Sequence, residues 1–106
     1  MINNNTDALT IIRALILNII PDSRILLFGS RARKDHTNDS DYDILVITKT
    51  TIEIRAKRTL QSQIRKELAK YKIPADIIIQ SDAEILSKGK IPGHILKQAL
   101  QEGVVI

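Results

Sequence analysis

The spacing of apolar side chains changes several times along the chain, and each spacing predicts one element. Residues 7–20 carry apolar side chains every three or four positions, which is the period of an amphipathic helix. Asn5 or Thr6 is suited to cap the start of this helix, and Pro21 ends the pattern. The next apolar run, "RILLF" at 24–28, is too short for a helix and predicts a buried strand.

Three further apolar runs predict strands. "YDILVIT" at 42–48 is almost continuously apolar, which is typical of a central strand covered on both faces. It follows a polar turn segment at 34–40 and is succeeded along the chain by a third strand, "ADIIIQ" at 75–80. The closing "VVI" at 104–106 predicts a short terminal strand.

The remaining helices are marked by signals at their ends. Thr50-x-x-Glu53 and Ser81-x-x-Glu84 have the spacing of capping boxes and predict a long and a short helix. The long helix carries an apolar stripe of Leu60, Ile64, Leu68 and Tyr71 and is stopped by Pro74, and Gly89 closes the short helix. A last helix is predicted with Pro92 in its first turn and Gly103 at its end. The pattern predicts a small α/β or α+β domain, a mixed sheet flanked by helices, and leaves the strand order open.

Length and composition narrow the class of protein. The 106 residues predict one domain over residues 1–106, with an aliphatic core because only 3% of the chain is aromatic. The chain has no cysteine, which excludes disulfide scaffolds, thiolate metal sites and cysteine nucleophiles and suits a cytoplasmic location. Arg13 interrupts an N-terminal apolar stretch that lacks a basic leader region, so we expect neither a signal peptide nor a membrane segment.

The net charge of +4 is concentrated in "IRAKRTLQSQIRKELAKYK" at 54–72. A basic stretch of this kind can bind nucleic acid, dock an acidic protein partner, or form the solvated face of a helix. The solvated face is favoured, because Glu67 is mixed in and the aromatic interleaving of single-strand binders is missing.

Three aspartates stand at the starts of two predicted strands. Residues i and i+2 of a strand face the same side about 6.5 Å apart, so Asp41 and Asp43 project together. Asp76 begins the third strand and joins them if that strand lies beside the second. Carboxylate oxygens are the ligands that Mg²⁺ prefers, and three acids so arranged favour a metal site over ordinary strand-end residues.

Gly29 and Ser30 stand between the first strand and a predicted helical turn. Glycine permits close approach of a ligand to the backbone, and N–H groups at a helix start favour phosphate, to which Ser30 can donate. Alone the pair is a weak signal, and the second glycine and the lysine of a P-loop are missing. Together with a carboxylate metal cluster it indicates metal-assisted transfer of a nucleotidyl or phosphoryl group.

These residues resemble the nucleotidyltransferases of the DNA polymerase beta superfamily. The signature is an apolar residue, Gly-Ser, about ten residues, and Asp-x-Asp, as in Phe28-Gly29-Ser30 and Asp41-Tyr42-Asp43 here. "GSRARKD", "SDYDILV" and "QALQEGVVI" are similar to segments of the minimal nucleotidyltransferases (MNT domains), and Asp76 matches the third carboxylate. Lys34 departs from the pattern, since the family usually has glycine there. The resemblance implies the polymerase-beta-like nucleotidyltransferase fold.

The resemblance also implies an activity, a partner and roles for the site residues. Minimal nucleotidyltransferases often act as antitoxins beside a HEPN-domain ribonuclease toxin, with which this chain would form a hetero-oligomer. The reaction implied is Mg²⁺-dependent transfer of AMP from ATP to a toxin tyrosine, with release of pyrophosphate. Two ions would be held by Asp41, Asp43 and Asp76, with Asp76 binding the second or activating the hydroxyl. The nucleotide would be bound by Gly29, Ser30 and Arg33.

Two other functions are consistent with the residues. The protein could be an antitoxin that neutralises its partner only by covering it, or a small nucleic-acid-binding protein. Pure binding does not need three clustered acids, so the enzyme is favoured, while an antibiotic-modifying transferase would need a second domain for the drug. His36 and His94 lack partners at metal-ligand spacing and are expected to be exposed.

Overall fold

The structure is a computed structural model that describes residues 5–88 and 94–106. Helices and strands alternate along most of this part of the chain. In chain order they are α1 (Asn5–Ile19), β1 (Arg24–Phe28), α2 (Gly29–Arg33), β2 (Tyr42–Thr48), α3 (Ile54–Ala69), β3 (Ala75–Ser81), α4 (Asp82–Lys88), α5 (Ile95–Glu102) and β4 (Val104–Val105). The strands predicted at 24–28, 42–48, 75–80 and the end of the chain are confirmed to within a residue.

The four strands form one mixed sheet in the order β3-β2-β1-β4. β2 pairs with β3 in parallel and with β1 antiparallel, and β4 pairs antiparallel with the other edge of β1. β2 is therefore the central strand that its apolar run predicts, and the predicted mixed sheet flanked by helices is confirmed.

Successive side chains along each strand point to opposite faces of the sheet and pack into two separate hydrophobic cores. One face packs on α1 and α3, and its buried residues include Ile12, Ile16, Ile44, Ile64 and Leu68. The other face packs on α5 through Phe28, Leu45, Ile47, Leu96 and Ala99. With both faces covered, the end of the sheet where β2 and β3 begin is where polar side chains remain accessible.

Several predicted helix ends are wrong because local backbone geometry differs from the sequence signal. The described part of α1 already includes Asn5 and Thr6, the two residues predicted to precede it. Glu53, the predicted last member of a capping box with Thr50, is itself the N-cap of α3, and its carboxylate accepts from the Arg55 N–H at 3.1 Å. The second capping box is confirmed, since the Ser81 N–H donates to Glu84 at 2.9 Å and the Glu84 N–H donates to the Ser81 hydroxyl at 3.2 Å.

The end of α3 also differs from the prediction. The helix ends at Ala69, well before Pro74, and Tyr71 lies beyond it with 52% of its surface exposed rather than in the apolar stripe. Lys72 takes a left-handed conformation (φ 58°) in the turn that follows. The end signals at Gly89 and Pro92 lie outside the described residues, and α5 begins at Ile95.

None of the helices in the described ranges combines the length and the hydropathy needed to cross a membrane.

Candidate active site

The sheet register brings two of the three predicted carboxylates onto neighbouring positions. Asp43 of β2 is paired with Asp76 of β3 in parallel register, and on its other side Asp43 faces Phe28 of β1. Asp43 shares the α5 face of the sheet with Leu45 and Ile47, as strand alternation requires. Asp41 lies immediately before β2. Asp43 is half-buried, while Asp41 and Asp76 are exposed at the open end of the sheet.

The negative charges of Asp76 and Asp41 both act on the Asp43 carboxyl. Its pKa is raised from the ordinary aspartate value, first by burial and then by the negative charges of Asp76 and Asp41. The positive charge of Arg33 opposes this rise, and Glu102 adds to it. The fold therefore holds Asp43 in an environment that disfavours its negative charge.

No protein group within the described residues compensates these charges directly. None of the three carboxylates accepts a hydrogen bond or forms an ion pair in residues 7–88 and 94–106. In that same part of the chain, no three His, Asp or Glu side chains are placed closely enough to form a ready-made metal site. Uncompensated oxygen donors on adjacent strands fit a hard cation, which would draw the side chains together. The metal role of Asp41, Asp43 and Asp76 stays a prediction.

Gly29 packs directly against Asp43. Its φ is +73°, a conformation that glycine adopts freely, and a Cβ added there would lie 2.1 Å from the Asp43 Oδ2 and 2.9 Å from its Cγ. The turn from β1 into α2 therefore approaches the carboxylate as closely as the backbone permits. This contact joins the Gly-Ser motif and the Asp-x-Asp motif, eleven residues apart, into one site.

The first turn of α2 leaves polar groups available at this site. The N-cap position is occupied by Phe28, which offers no side-chain cap to the N–H groups. Ser30 lies inside α2 rather than at its cap, and its hydroxyl has no hydrogen-bond partner within the described ranges. The uncapped first turn of α2 therefore begins at Gly29, the residue that contacts Asp43.

Arg33 is anchored by acidic residues on two elements. Its Nη1 donates to Glu102 at the end of α5 at 2.6 Å, and its Nε donates to Asp35 at 3.1 Å. Hydrogen bonds to Glu102 and then Asp35 raise the pKa of the guanidinium, which stays cationic. Arg33 thus adds positive charge near Asp43, and its nucleotide contact stays a prediction.

Lys34 closes α2 in the conformation that the family's usual glycine would adopt easily. It is the C-cap of the helix with φ 65°, and its N–H donates to the Ser30 carbonyl. The turn therefore forms with lysine, at the steric cost of a side chain in the left-handed region.

Lys34→Gly is expected to raise the free energy of unfolding by about 0.5–1 kcal/mol, because the left-handed strain is relieved and only partly offset by glycine's entropy. Urea denaturation measures the change. Lys66→Gly, on the exposed side of α3, is the matched control and should lower stability by about 1 kcal/mol. A Lys34→Gly variant as destabilised as this control would contradict the strain argument.

Arg31 is a residue of this site that the sequence reasoning missed. It is only 8% exposed, its guanidinium stacks 4.0 Å from the centre of the Tyr42 ring, and it donates to the carbonyls of the loop before Asp41. Those bonds are to Ser40 at 3.0 Å, Asn38 at 3.3 Å and Thr37 at 3.4 Å. No local pattern links an arginine in α2 to a loop six to nine residues later, so only the fold reveals the contact.

Arg31→Met is expected to lower the free energy of unfolding by about 2 kcal/mol, since the loop carbonyls lose a buried charged donor and Tyr42 loses its cation. Arg58→Met, at an exposed position of α3, should change stability by less than about 0.5 kcal/mol. Chemical denaturation of both variants checks this, and equal effects would show that Arg31 does not organise the loop.

The two histidines differ from the expectation that they are exposed. Both are half-buried, and His94 caps α5 by accepting a hydrogen bond from the Leu96 N–H through Nδ1 at 3.1 Å. This structural role follows from the helix start at Ile95, which the sequence placed nearer Pro92.

The structure combines a mixed sheet with a glycine turn packed on Asp43, which is paired with Asp76 on the neighbouring strand. The family described as "Polymerase beta, Nucleotidyltransferase" matches residues 21–106, and the chain belongs to this family. It is similar to "Putative protein adenylyltransferase MJ0604" of Methanocaldococcus jannaschii, with 34% identity over 83 residues that cover 78% of this chain and 76% of that protein. The chain is thus a nucleotidyltransferase.

Solved structures share the fold. A mutant of the toxin–antitoxin MntA-HpeT matches with a TM-score of 0.64 and 22% identity, covering 100% of this chain and 72% of that one. A toxin–antitoxin with AMP-PNP matches with a TM-score of 0.63 and 20% identity, covering 96% of this chain and 72% of that one. A tri-AMPylated Shewanella oneidensis HEPN toxin in complex with MNT antitoxin matches with a TM-score of 0.61 and 19% identity, covering 94% of this chain and 69% of that one. The predicted polymerase-beta-like fold is confirmed.

Proposed function

We propose that this protein is an Mg²⁺-dependent protein adenylyltransferase that transfers AMP from ATP to a tyrosine of a HEPN-type ribonuclease toxin. The observation that carries the proposal is the contact of Gly29 with Asp43 beside Asp76, which joins a backbone phosphate-binding turn to uncompensated carboxylates. The name of the Methanocaldococcus relative supports an adenylyl group as the group transferred. The AMP-PNP complex supports ATP as its donor, and the AMPylated HEPN toxin supports a toxin of that kind as the acceptor.

In the proposed reaction the tyrosine oxygen attacks the α-phosphorus of ATP. The bond between that phosphorus and the α–β bridging oxygen breaks, pyrophosphate leaves, and the tyrosine proton passes to a base. Asp76 is exposed at the mouth of the site and is suited to take this proton or to orient the hydroxyl. Asp41 and Asp43 would hold Mg²⁺, which would neutralise charge on the triphosphate, and Asp76 would bind a second ion where it does not take the proton.

The other groups bind and orient the nucleotide. The uncapped N–H groups of α2 and the Ser30 hydroxyl are suited to donate to phosphate oxygens, and their place beside Asp43 would bring the α-phosphorus to the carboxylates. Arg33, fixed by Glu102, would contribute positive charge as pyrophosphate departs. Arg31 would act indirectly, by holding the loop that carries Asp41.

The proposal is tested by incubating the protein and a HEPN-type partner with Mg²⁺ and ATP labelled at either the α- or the γ-phosphate. We expect the partner to retain only the α-label, and EDTA to prevent labelling. Label from γ-ATP would indicate phosphoryl transfer. Neutralisation of the partner without any label would favour an antitoxin that acts by binding alone.

A further inference from the structure

An open groove of about 440 Å³ lies beside Asp41, on the side of β2 away from Gly29 and Ser30. Its walls come from the last turns of α3, the α3–β3 turn and the first residue of β3. Because Asp41 belongs to the proposed reaction centre, a molecule lying in this groove would have one end at that centre.

The floor of the groove is apolar and its backbone is fixed. Ile73, Pro74 and Ala75 line it, and Ile73 is only 3% exposed, so its side chain anchors the turn in the core. The Ile73 N–H donates to the Leu68 carbonyl at 3.1 Å, and the Tyr42 N–H donates to the Pro74 carbonyl at 2.9 Å. The groove is therefore a preformed surface tied to the strand that carries Asp43.

The rim of the groove carries two cations without acidic partners. Arg65 and Lys72 are exposed and form no ion pair within residues 7–88 and 94–106, whereas Lys70 nearby pairs with Glu67 at 2.9 Å. Lys72 stands in the left-handed region, where a glycine would cost less, and its side chain is nonetheless displayed at the groove. Asp41 is the one acidic side chain among the described lining residues.

We propose that this groove binds an acidic peptide segment of the acceptor protein and presents the acceptor hydroxyl at Asp41. The inference rests on the proposed function and extends it to the recognition of the acceptor. Arg65 and Lys72 attract the negative side chains, and the aliphatic floor contacts the rest of the segment. The nucleotide is placed elsewhere, since the phosphate-binding turn lies across β2 in the sheet order.

The lining argues for peptide over nucleic acid. Binding of single strands normally uses aromatic side chains on which bases stack, and no aromatic residue of the described chain lines this groove. An extended peptide needs an apolar surface for alternate side chains and charges at the rim, which this groove provides.

The test uses a random copolymer of glutamate and tyrosine as the acidic probe and a lysine–tyrosine copolymer as its counterpart. We expect the full chain to bind the acidic copolymer, more weakly as salt increases, and not the basic one. Arg65→Gln with Lys72→Gln should weaken this binding roughly five- to tenfold. Lys66→Gln with Lys70→Gln removes the same charge from the same end of α3 and should weaken it less than about twofold.

Three results would overturn the groove assignment. Equal weakening by both double variants would mean that only diffuse charge matters. A loss of ATP affinity in Arg65→Gln with Lys72→Gln as large as the loss of copolymer affinity would place the nucleotide there. Random RNA that binds more tightly than the acidic copolymer through the same two residues would make the surface a nucleic-acid site.

The groove and the proposed function fail separately. AMP transfer to a partner that Arg65→Gln with Lys72→Gln does not slow would refute the groove and leave the function standing. Copolymer binding that depends on both cations, without AMP transfer to any partner, would support the groove and refute the function.

Discussion

Asp43→Asn is expected to reduce nucleotidyl transfer by roughly 1,000-fold or more while making the metal-free protein more stable. The loss of transfer follows from removing the carboxylate that lies between Gly29 and Asp76. The gain in stability follows because burial and the charges of Asp76 and Asp41 raise the pKa of Asp43, so its ionised form opposes folding. After allowance for screening at this half-exposed position, the gain is about 0.5–1 kcal/mol.

The sign of the pH dependence follows from the same linkage. A carboxyl whose pKa is raised in the folded state binds more protons there than in the unfolded state. Its contribution therefore favours folding below the unfolded-state pKa and is lost as pH rises through the folded-state pKa. The stability difference between Asp43→Asn and wild type should grow with pH across that window and then level off.

The matched control is Asp22→Asn, an exposed position after α1 that precedes β1, at the end of that strand opposite Gly29. It should leave transfer unchanged. Denaturation curves at several pH values compare the two variants. A large loss of stability in Asp43→Asn would mean that this aspartate supports the fold.

Gly29→Ala is expected to lower the free energy of unfolding by about 2–3 kcal/mol and to reduce transfer by roughly 100-fold. A Cβ at φ +73° is strained by itself, and it would lie 2.1 Å from the Asp43 carboxylate, which must move away. Displacing this carboxylate separates it from the phosphate-binding turn, so activity falls beyond what the stability loss explains.

A double-mutant cycle isolates the contact between the two motifs. In an Asp43→Ala background the carboxylate is gone, so adding Gly29→Ala should cost only the backbone strain, about 1 kcal/mol. The remaining difference is the steric coupling between the two residues. An identical cost in both backgrounds would show that Gly29 and Asp43 are not in contact.

Much of the fold follows from patterns that local sequence carries. The four strands have apolar runs of a length that helices do not have, and the run of β2 indicates its central place. The errors concern helix ends, where Glu53 rather than Thr50 caps α3 and the helix stops at Ala69. These ends are decided by backbone geometry and by the anchoring of Ile73 in the core, which a capping pattern does not contain.

The positions of candidate-site residues can be predicted where the spacing along a strand sets them. They cannot be predicted where contacts between separate elements set them. Asp43 and Asp76 follow from strand starts, once β2 and β3 are neighbours. The link from Glu102 to Arg33 and the clamp of Arg31 on the loop before Asp41 join separate elements, so no periodicity reveals them. Lys34 departs from the glycine that the family usually has there, yet the structure places it in the left-handed conformation that glycine adopts easily.

The central claim, that Asp41 and Asp43 form a cation–nucleotide site rather than part of the folding framework, is tested most directly by thermal melts. Wild type and the Asp41→Asn, Asp43→Asn double variant are compared alone, with Mg²⁺, with ATP, and with both. We predict that Mg²⁺ and ATP together raise the melting temperature of wild type only, because a ligand stabilises the state that binds it. Without ligands the variant should melt at the same temperature as wild type or higher. A variant that melts well below wild type without ligands, yet keeps the full Mg²⁺-ATP shift, would contradict the account.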